Sequence, residues 1–147
     1  MTENGFKHSE LTGRVIGAAM EVHRILGNGY PEVTYQRALS IEFDLRGLCH
    51  VRELEMDLSY KGQSIGTRRV DMFVENTVMV ELKAVGELDD AHLAQAINYL
   101  EASGLEVGLL INFGGRSLEF RRVMPPYGRL AKPAGTLRLP EPPSDPS

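Results

Sequence analysis

The sequence predicts a single α/β domain with the element order α-α-β-β-β-α-β-β. The main observation is a change of hydrophobic period along the chain, from helical spacing to alternation and back to helical spacing. The second is composition, because 147 residues with 42% hydrophobic and 24% charged side chains are typical of one globular domain with its own core. The third is that seven of the eight prolines lie beyond residue 124, where we expect the domain to end.

Apolar side chains at helical spacing predict three helices, each followed by a glycine that can end it. In the second of them, we expect the core face to carry Val33, Ala38, Ile41 and Leu45. The predicted helices span residues 11–26, 31–46 and 88–103.

The segments between and after these helices have the patterns of strands. Residues 51–60 alternate between apolar and acidic side chains over much of their length, which indicates a half-exposed strand. Residues 107–113 are nearly all apolar, as expected of a strand that is covered on both faces. The predicted strands span residues 51–60, 65–74, 78–83, 107–113 and 118–123.

The composition excludes several classes of protein. The lone Cys49 cannot form an internal disulfide, which excludes a secreted disulfide scaffold. Residues 1–10 are polar and no run of about 18 apolar residues occurs, so we expect no leader, no membrane span and a cytoplasmic location. The net charge of −4 argues against a general nucleic-acid coat protein, although six basic residues and one acidic residue lie between Arg116 and Arg138.

The proline-rich end of the chain is predicted to lie outside the main domain. We therefore divide the chain into a domain at residues 1–123 and a C-terminal tail at residues 124–147. Such a tail cannot form a core, so it is expected to be disordered or to extend over another surface, its own or a neighbour's. A homo-oligomer joined through the tail is one expected assembly.

Two acidic residues and a lysine lie on neighbouring predicted strands. If Val74 pairs with Val78 across a three-residue loop, the constant sum of paired residue numbers places Asp71 opposite Glu81. Lys83 follows Glu81 by two residues and so projects from the same face. The same register predicts an apolar opposite face made of Val70, Met72, Val80 and Leu82.

Carboxylates that lie side by side repel each other unless a cation lies between them. Oxygen ligands of this kind suit Mg²⁺ or Mn²⁺, and a lysine beside the ion can position or deprotonate an attacking water or neutralise charge on phosphorus. The alternative is a surface salt-bridge trio of Asp71, Lys83 and Glu81, which contributes little to stability. The spacing alone leaves both interpretations open.

Several motifs resemble one family of enzymes. Asp71 followed by Glu81-Leu82-Lys83 resembles the D…(D/E)xK signature of the PD-(D/E)XK nuclease superfamily. Residues 29–35, GYPEVTY, match the GxxExxY motif of a bacterial family assigned to that superfamily, and other segments between residues 9 and 123 are similar to it. The resemblance implies a restriction-endonuclease-like core, with a mixed sheet flanked by helices.

The resemblance also implies a chemistry and a set of site residues. The chemistry is phosphodiester hydrolysis that depends on Mg²⁺ or Mn²⁺. The implied metal ligands are Glu32, Asp71, Glu81 and the backbone carbonyl of Leu82, and Lys83 is the implied catalytic lysine.

A helix motif adds further candidates. Residues 95–99, QAINY, resemble the QxxxY motif of RecB-like nucleases. Gln95 and Tyr99 share one helix face, from which they are expected to reach the lysine or a substrate phosphate. Arg68 and Arg69 are expected to neutralise backbone phosphates.

Three further residues have a functional and a structural interpretation. His23 is either an additional metal or phosphate contact or a cap on backbone carbonyls at the end of the first helix. Tyr35 either orients Glu32 through its hydroxyl and so belongs to the substrate site, or is part of the core. His92 lies near Asp89 at a helix start, where acidic side chains have an explanation in the helix dipole, which we favour over a second metal cluster.

Together these residues predict a metal-dependent nuclease, with DNA favoured over RNA as the partner. The alternative is a catalytically silent nuclease-fold protein that acts as a binding or self-assembling module. The extended tail favours the alternative, whereas the intact set of acidic and basic site residues opposes it.

Overall fold

The computed structural model describes residues 8–125 and 135–139, which form three helices and six strands. The order of elements matches the predicted one through the fifth strand, with one short strand added. The helices are α1 (Ser9–Leu26), α2 (Glu32–Leu45) and α3 (Asp90–Ser103). The strands are β1 (His50–Tyr60), β2 (Gln63–Val74), β3 (Val78–Lys83), β4 (Val107–Asn112), β5 (Glu119–Val123) and β6 (Gly135–Leu137).

All six strands form one mixed sheet in the order β5-β4-β3-β2-β1-β6. β3 and β4 are parallel, because α3 crosses between them, and every other neighbouring pair is antiparallel. This arrangement confirms the predicted α/β class and the mixed sheet. It also puts β3, the strand that carries Glu81 and Lys83, near the middle of the sheet.

The two faces of the sheet carry separate hydrophobic clusters. One cluster joins α1 and α2 to side chains such as Met72, Val80 and Leu82. The other joins α3 to side chains such as Phe73 and Met79 on the opposite face. The helices thus cover the sheet on both sides, which accounts for the wholly buried β4.

The predicted core face of α2 is wrong. Val33 is 40% exposed, Ile41 62% and Leu45 76%, and Ala38 is only partly buried. The helix instead buries Tyr35, Leu39 and Phe43, together with Gln36. These three side chains recur every four residues and so form one continuous stripe, which packs against α1 and the sheet.

An irregularity in the pairing of β1 with β2 changes the face of the sheet on which Val70 lies. The ladder pairs Arg52 with Met72 and Leu54 with Val70, but Glu53, whose φ is +54°, and Asp71 are left out of it. The alternation therefore shifts within β2: Met72 faces α1 and α2, whereas Val70 belongs to the cluster under α3. The prediction that Val70 lies on the face of Met72 is wrong for this reason.

Part of the proline-rich segment joins the sheet. Residues 135–137 pair antiparallel with Met56, Asp57 and Leu58 of β1. Arg138 then binds Asp57 through two hydrogen bonds of 2.6 and 2.7 Å and Glu55 through one of 2.9 Å. The rest of the predicted tail, at 126–134 and 140–147, lies outside the described residues.

None of the helices in the described part of the chain has the length and hydropathy of a membrane span.

Candidate active site

Asp71 lies where β2 and β3 separate. The ladder pairs Val74 with Val78 and Met72 with Val80, which is the predicted register. Beyond Met72 the ladder stops, and Asp71 Oδ2 accepts a hydrogen bond of 2.7 Å from the backbone N–H of Leu82. Burial raises the pKa of Asp71, and this hydrogen bond partly offsets the rise.

Glu81 is a buried carboxylate with an unused oxygen. Its exposed fraction is 3%, and its Oε1 atom is buried without a hydrogen-bond partner. Its Oε2 atom lies 3.6 Å from Nη2 of Arg68. Burial, reinforced by the charge of Asp71, raises the pKa of Glu81 to about 8. A buried acidic oxygen without a partner is costly for a fold to keep, unless something else binds it.

Lys83 and Gln95 contact each other across the site. Lys83 Nζ lies 3.4 Å from Gln95 Oε1, so the amide oxygen can accept a hydrogen bond from the ammonium group. Gln95 lies in the first turns of α3, and Asp89 caps the start of this helix. The Asp89 side chain accepts a hydrogen bond from the backbone N–H of His92, and His92 Nδ1 accepts one from the backbone N–H of Asp89. His92 therefore has the structural role favoured by the sequence.

Glu32 opens α2 and is exposed to solvent. Its pKa is raised, first by partial desolvation and then by the negative charge of Asp71. The positive charges of Lys83 and Arg68 act in the opposite direction. The electrostatic interactions of Glu32 thus connect α2 to the strand residues Asp71 and Lys83.

The donor set fits a hard divalent cation without forming a ready-made cage. Within residues 8–125 and 135–139, no three His, Cys, Asp or Glu side chains form a group that could hold a metal ion. Asp71 is engaged by a backbone N–H and Glu81 by Arg68, so the carboxylates have separate partners. Mg²⁺ needs only one or two carboxylates when water and phosphate oxygens supply the rest, and the unpartnered Oε1 of Glu81 is one such donor.

The side chain and the backbone of Leu82 have different surroundings next to Glu81. Its side chain is buried in the cluster under α1 and α2, on the face away from Glu81. Its N–H binds Asp71, as described above. Metal binding by its carbonyl remains a prediction.

His23 and Tyr35 both contact backbone carbonyls within the fold. His23 is 9% exposed, and its Nε2 lies 2.9 Å from the carbonyl oxygen of Gly115, to which it donates. Tyr35 is fully buried and stacks on Phe113 at 4.6 Å between ring centres. Its hydroxyl donates to the Gly27 carbonyl at 2.6 Å, which fits the core interpretation, and its contact with substrate stays a prediction.

Replacing Tyr35 by phenylalanine should therefore destabilise the fold. The Gly27 carbonyl loses its hydroxyl donor in a part-buried place, which costs about 1–3 kcal/mol. Thermal or urea unfolding would measure this loss. The loss should be equal in EDTA and in Mn²⁺, and a loss confined to the Mn²⁺ sample would instead connect the hydroxyl to the carboxylate site.

Arg68 and Tyr99 form a pair that sequence reasoning did not foresee. The guanidinium lies over the Tyr99 ring, 4.6 Å from its centre, while also reaching Glu81. Simple alternation along β2 would place Arg68 on the face of Met72, but the irregularity at Asp71 turns it toward α3. Arg69 lies elsewhere: it is exposed, and its Nη1 is 3.7 Å from Glu53 Oε2.

Asn112 supports the segment that follows Lys83. It is fully buried, it lies beside Lys83 in the parallel register, and its side-chain amide binds both the N–H and the carbonyl of Val85. Glu119 accepts a further bond from the same amide. A lone polar residue in the apolar run 107–113 is the signal that could have identified it.

The chain belongs to the PD-(D/E)XK nuclease superfamily. The model of that superfamily matches residues 9–123, which span α1 through β5 and contain every acidic and basic residue of the site described above. No match was found among curated proteins or among solved structures. The mixed sheet with helices on both faces is the restriction-endonuclease-like architecture, and membership of the superfamily indicates a nuclease-type phosphodiester hydrolase.

Proposed function

We propose that the protein is a divalent-metal-dependent nuclease that cleaves DNA, with Mg²⁺ or Mn²⁺ bound by Asp71, Glu81 and Glu32. The single observation that carries this proposal concerns the Oε1 atom of Glu81, which is buried and has no hydrogen-bond partner. Glu81 lies in the sequence between Asp71 and Lys83, the other two residues of the signature. We further infer membership of the GxxExxY family within the superfamily. Its support is the motif at residues 29–35, which contains Glu32 at the start of α2.

Each residue has a defined task in this proposal. A bound divalent ion would supply Lewis-acid stabilisation of charge on the phosphate. Asp71 and Glu81 would hold that ion with fixed carboxylates, since Asp71 accepts from the N–H of Leu82 and Glu81 lies within the paired part of β3. Lys83 orients the attacking water and neutralises negative charge on the phosphate, while Gln95 keeps its ammonium group in place.

The positive side chains near the site match a polyanionic substrate. With its carboxylates ionised, the site repels phosphate, so the ion must bind for DNA to approach. Arg69 is exposed and can contact a backbone phosphate outside the carboxylate group. Arg138 is not available for this purpose, because it is bound to Asp57 and Glu55.

The test is cleavage of plasmid DNA and of a matched RNA in Mg²⁺, in Mn²⁺ and in EDTA. We expect cleavage of DNA with either metal and none in EDTA. In parallel, Mn²⁺ at a hundredfold excess over its Kd should stabilise the fold by about 2.7 kcal/mol, which raises the Tm by about 5–10 °C. The Glu81→Gln variant should lose both the cleavage and the rise in Tm.

Three other outcomes have distinct meanings. Cleavage of RNA but not of DNA would support the proposed active site and would show that the substrate is RNA. Identical melting curves in Mn²⁺ and EDTA would contradict the metal site. An absence of cleavage with every metal and substrate would favour the silent binding or self-assembling module, and a homo-oligomer through residues 124–147 would then be sought by sedimentation.

A further inference from the structure

Arg68 places a protein cation against the carboxylate expected to bind metal. Its Nη2 lies 3.6 Å from Glu81 Oε2, which is longer than a hydrogen bond in a bidentate arginine–carboxylate pair. Its Nε is buried without a hydrogen-bond partner, and its side chain is 32% exposed. Among the described residues, its other contact is the ring of Tyr99. The guanidinium is thus held by charge and by an aromatic face, and its hydrogen-bonding capacity is left partly unused.

We propose that Arg68 is a displaceable counter-cation of this site: it lies beside Glu81 before metal binds, leaves Glu81 when metal binds, and then contacts a phosphate of the nucleic acid while remaining on Tyr99. This inference rests on the proposed function and names a substrate-binding residue for it. It also fits the electrostatics of Glu81, because a cation 3.6 Å away offsets part of the cost of ionising this buried carboxyl.

The two contacts of Arg68 differ in what competes with them. A divalent ion carries twice the charge of the guanidinium and binds carboxylate oxygens directly, so it displaces the loose ion pair with Glu81. The cation–π contact with Tyr99 involves no atom that a metal would bind. The freed guanidinium is planar and presents paired N–H donors, which is the geometry that recognises a phosphate.

Charge supports the same order of events. Arg68 acts on all three carboxyls of the site, lowering the pKa of Glu32, Asp71 and Glu81 against the effect of burial. After a divalent ion binds, Arg68 is no longer needed for that purpose. The site then carries surplus positive charge from the ion, Arg68 and Lys83, which favours a phosphate.

The first experiment measures Mn²⁺ affinity by calorimetry, without substrate. Arg68→Ala should bind Mn²⁺ about tenfold more tightly than the parent chain, because a competing and repelling charge is gone. Arg68→Gln, which keeps most of the side-chain volume, should behave in the same way and covers the case in which the alanine variant unfolds. Arg24→Ala is the control, since its guanidinium binds Glu21 on the surface of α1 and the net-charge change is identical.

Variants of Tyr99 separate the ring contact from general charge effects. Tyr99→Leu removes the aromatic face and should loosen Arg68, so DNA affinity should fall about threefold in Mn²⁺. Tyr99→Phe keeps the face and should bind DNA as the parent does. If the two variants behave alike, the ring does not hold the guanidinium in the bound state.

The second experiment measures DNA affinity by fluorescence anisotropy, in a Lys83→Ala background so that the DNA stays intact. Adding Arg68→Ala should weaken DNA binding about tenfold in Mn²⁺ and less than twofold in EDTA, where the guanidinium is still engaged with Glu81. The salt dependence of log K in Mn²⁺ should also fall by about one unit of slope. An equal loss in both buffers would overturn the proposed displacement.

The outcomes distinguish this inference from the proposed function. Equal Mn²⁺ affinity in the parent chain and Arg68→Ala would overturn the inference alone. Binding of Mn²⁺ only after Arg68 is replaced would support it. If no variant binds Mn²⁺, the proposed metal site fails, and the inference fails with it.

Discussion

Lys83→Ala should lower DNA cleavage by about 10³-fold, because charge on the transferring phosphate loses the lysine proposed to neutralise it. The variant should bind Mn²⁺ at least as tightly as the parent chain, since Lys83 is not a ligand and its charge repels the ion. It should also keep the fold, because the side chain is only partly buried and its described hydrogen bond is the 3.4 Å contact with Gln95. Single-turnover cleavage and Mn²⁺ calorimetry on the same preparation measure both quantities.

Lys61→Ala provides the matched control for that experiment. Lys61 lies in the turn between β1 and β2, with its ammonium group over the ring of Tyr60 at 5.4 Å. It has the same charge and contacts none of the site residues. Cleavage should be unchanged in this variant, and undiminished cleavage in Lys83→Ala would place the catalytic cation elsewhere.

Glu81→Gln should change how the stability of the metal-free protein depends on pH. The pKa of Glu81 is about 8 in the folded chain, against 4.5 as its ordinary value. Below pH 4.5 the carboxyl is protonated in both states, so its full contribution to stability is present. As pH rises toward 8, only the unfolded chain releases the proton, and stability is lost.

The parent chain in EDTA should therefore be roughly 2–4 kcal/mol less stable at pH 8 than at pH 5. Glu81→Gln cannot ionise and should lose most of that dependence, which makes it the more stable protein at pH 8. A weaker fall in the stability of this variant with rising pH should remain, because the pKa values of Asp71 and Glu32 are also raised in the folded chain. Urea unfolding at several pH values measures the effect.

Glu10→Gln on the surface of α1 is the control for the charge change itself, and it should leave the dependence on pH as it is in the parent chain. Saturating Mn²⁺ should flatten the dependence for the parent, since the bound ion keeps Glu81 ionised in the folded state. A parent stability that rises between pH 5 and pH 8 in EDTA would contradict the buried, raised-pKa carboxyl.

Local patterns predicted much of this fold. Hydrophobic period and glycine positions gave helix and strand bounds close to those observed, and α3 begins at Asp90 because Asp89 caps it. The hairpin register followed from the loop Glu75-Asn76-Thr77 alone, since its length decides which residues oppose each other. The pairing of Val74 with Val78 is of this local kind.

What local patterns could not supply was the position of one element against another. Two apolar faces of α2 competed, and the choice between Ile41 and Leu39 was made by the sheet and by α1. The side of the sheet on which Arg68 lies depends on a backbone irregularity that involves both β1 and β2. The sequence pattern of either strand alone does not indicate it. Gln95 and Tyr99 were correctly placed on one helix face, but the partner of Tyr99 depended on that irregularity.

The short strand β6 has a consequence for how these molecules behave at high concentration. Without it, the backbone donors and acceptors of Met56, Asp57 and Leu58 would form a bare edge on which a neighbouring chain could add a strand. The backbone ladder and the ion pairs of Arg138 with Glu55 and Asp57 hold this segment on β1, so removal of residues from 135 onward would expose the edge. Residues 135–137 thereby keep the backbone of β1 from pairing with a second chain along Met56, Asp57 and Leu58.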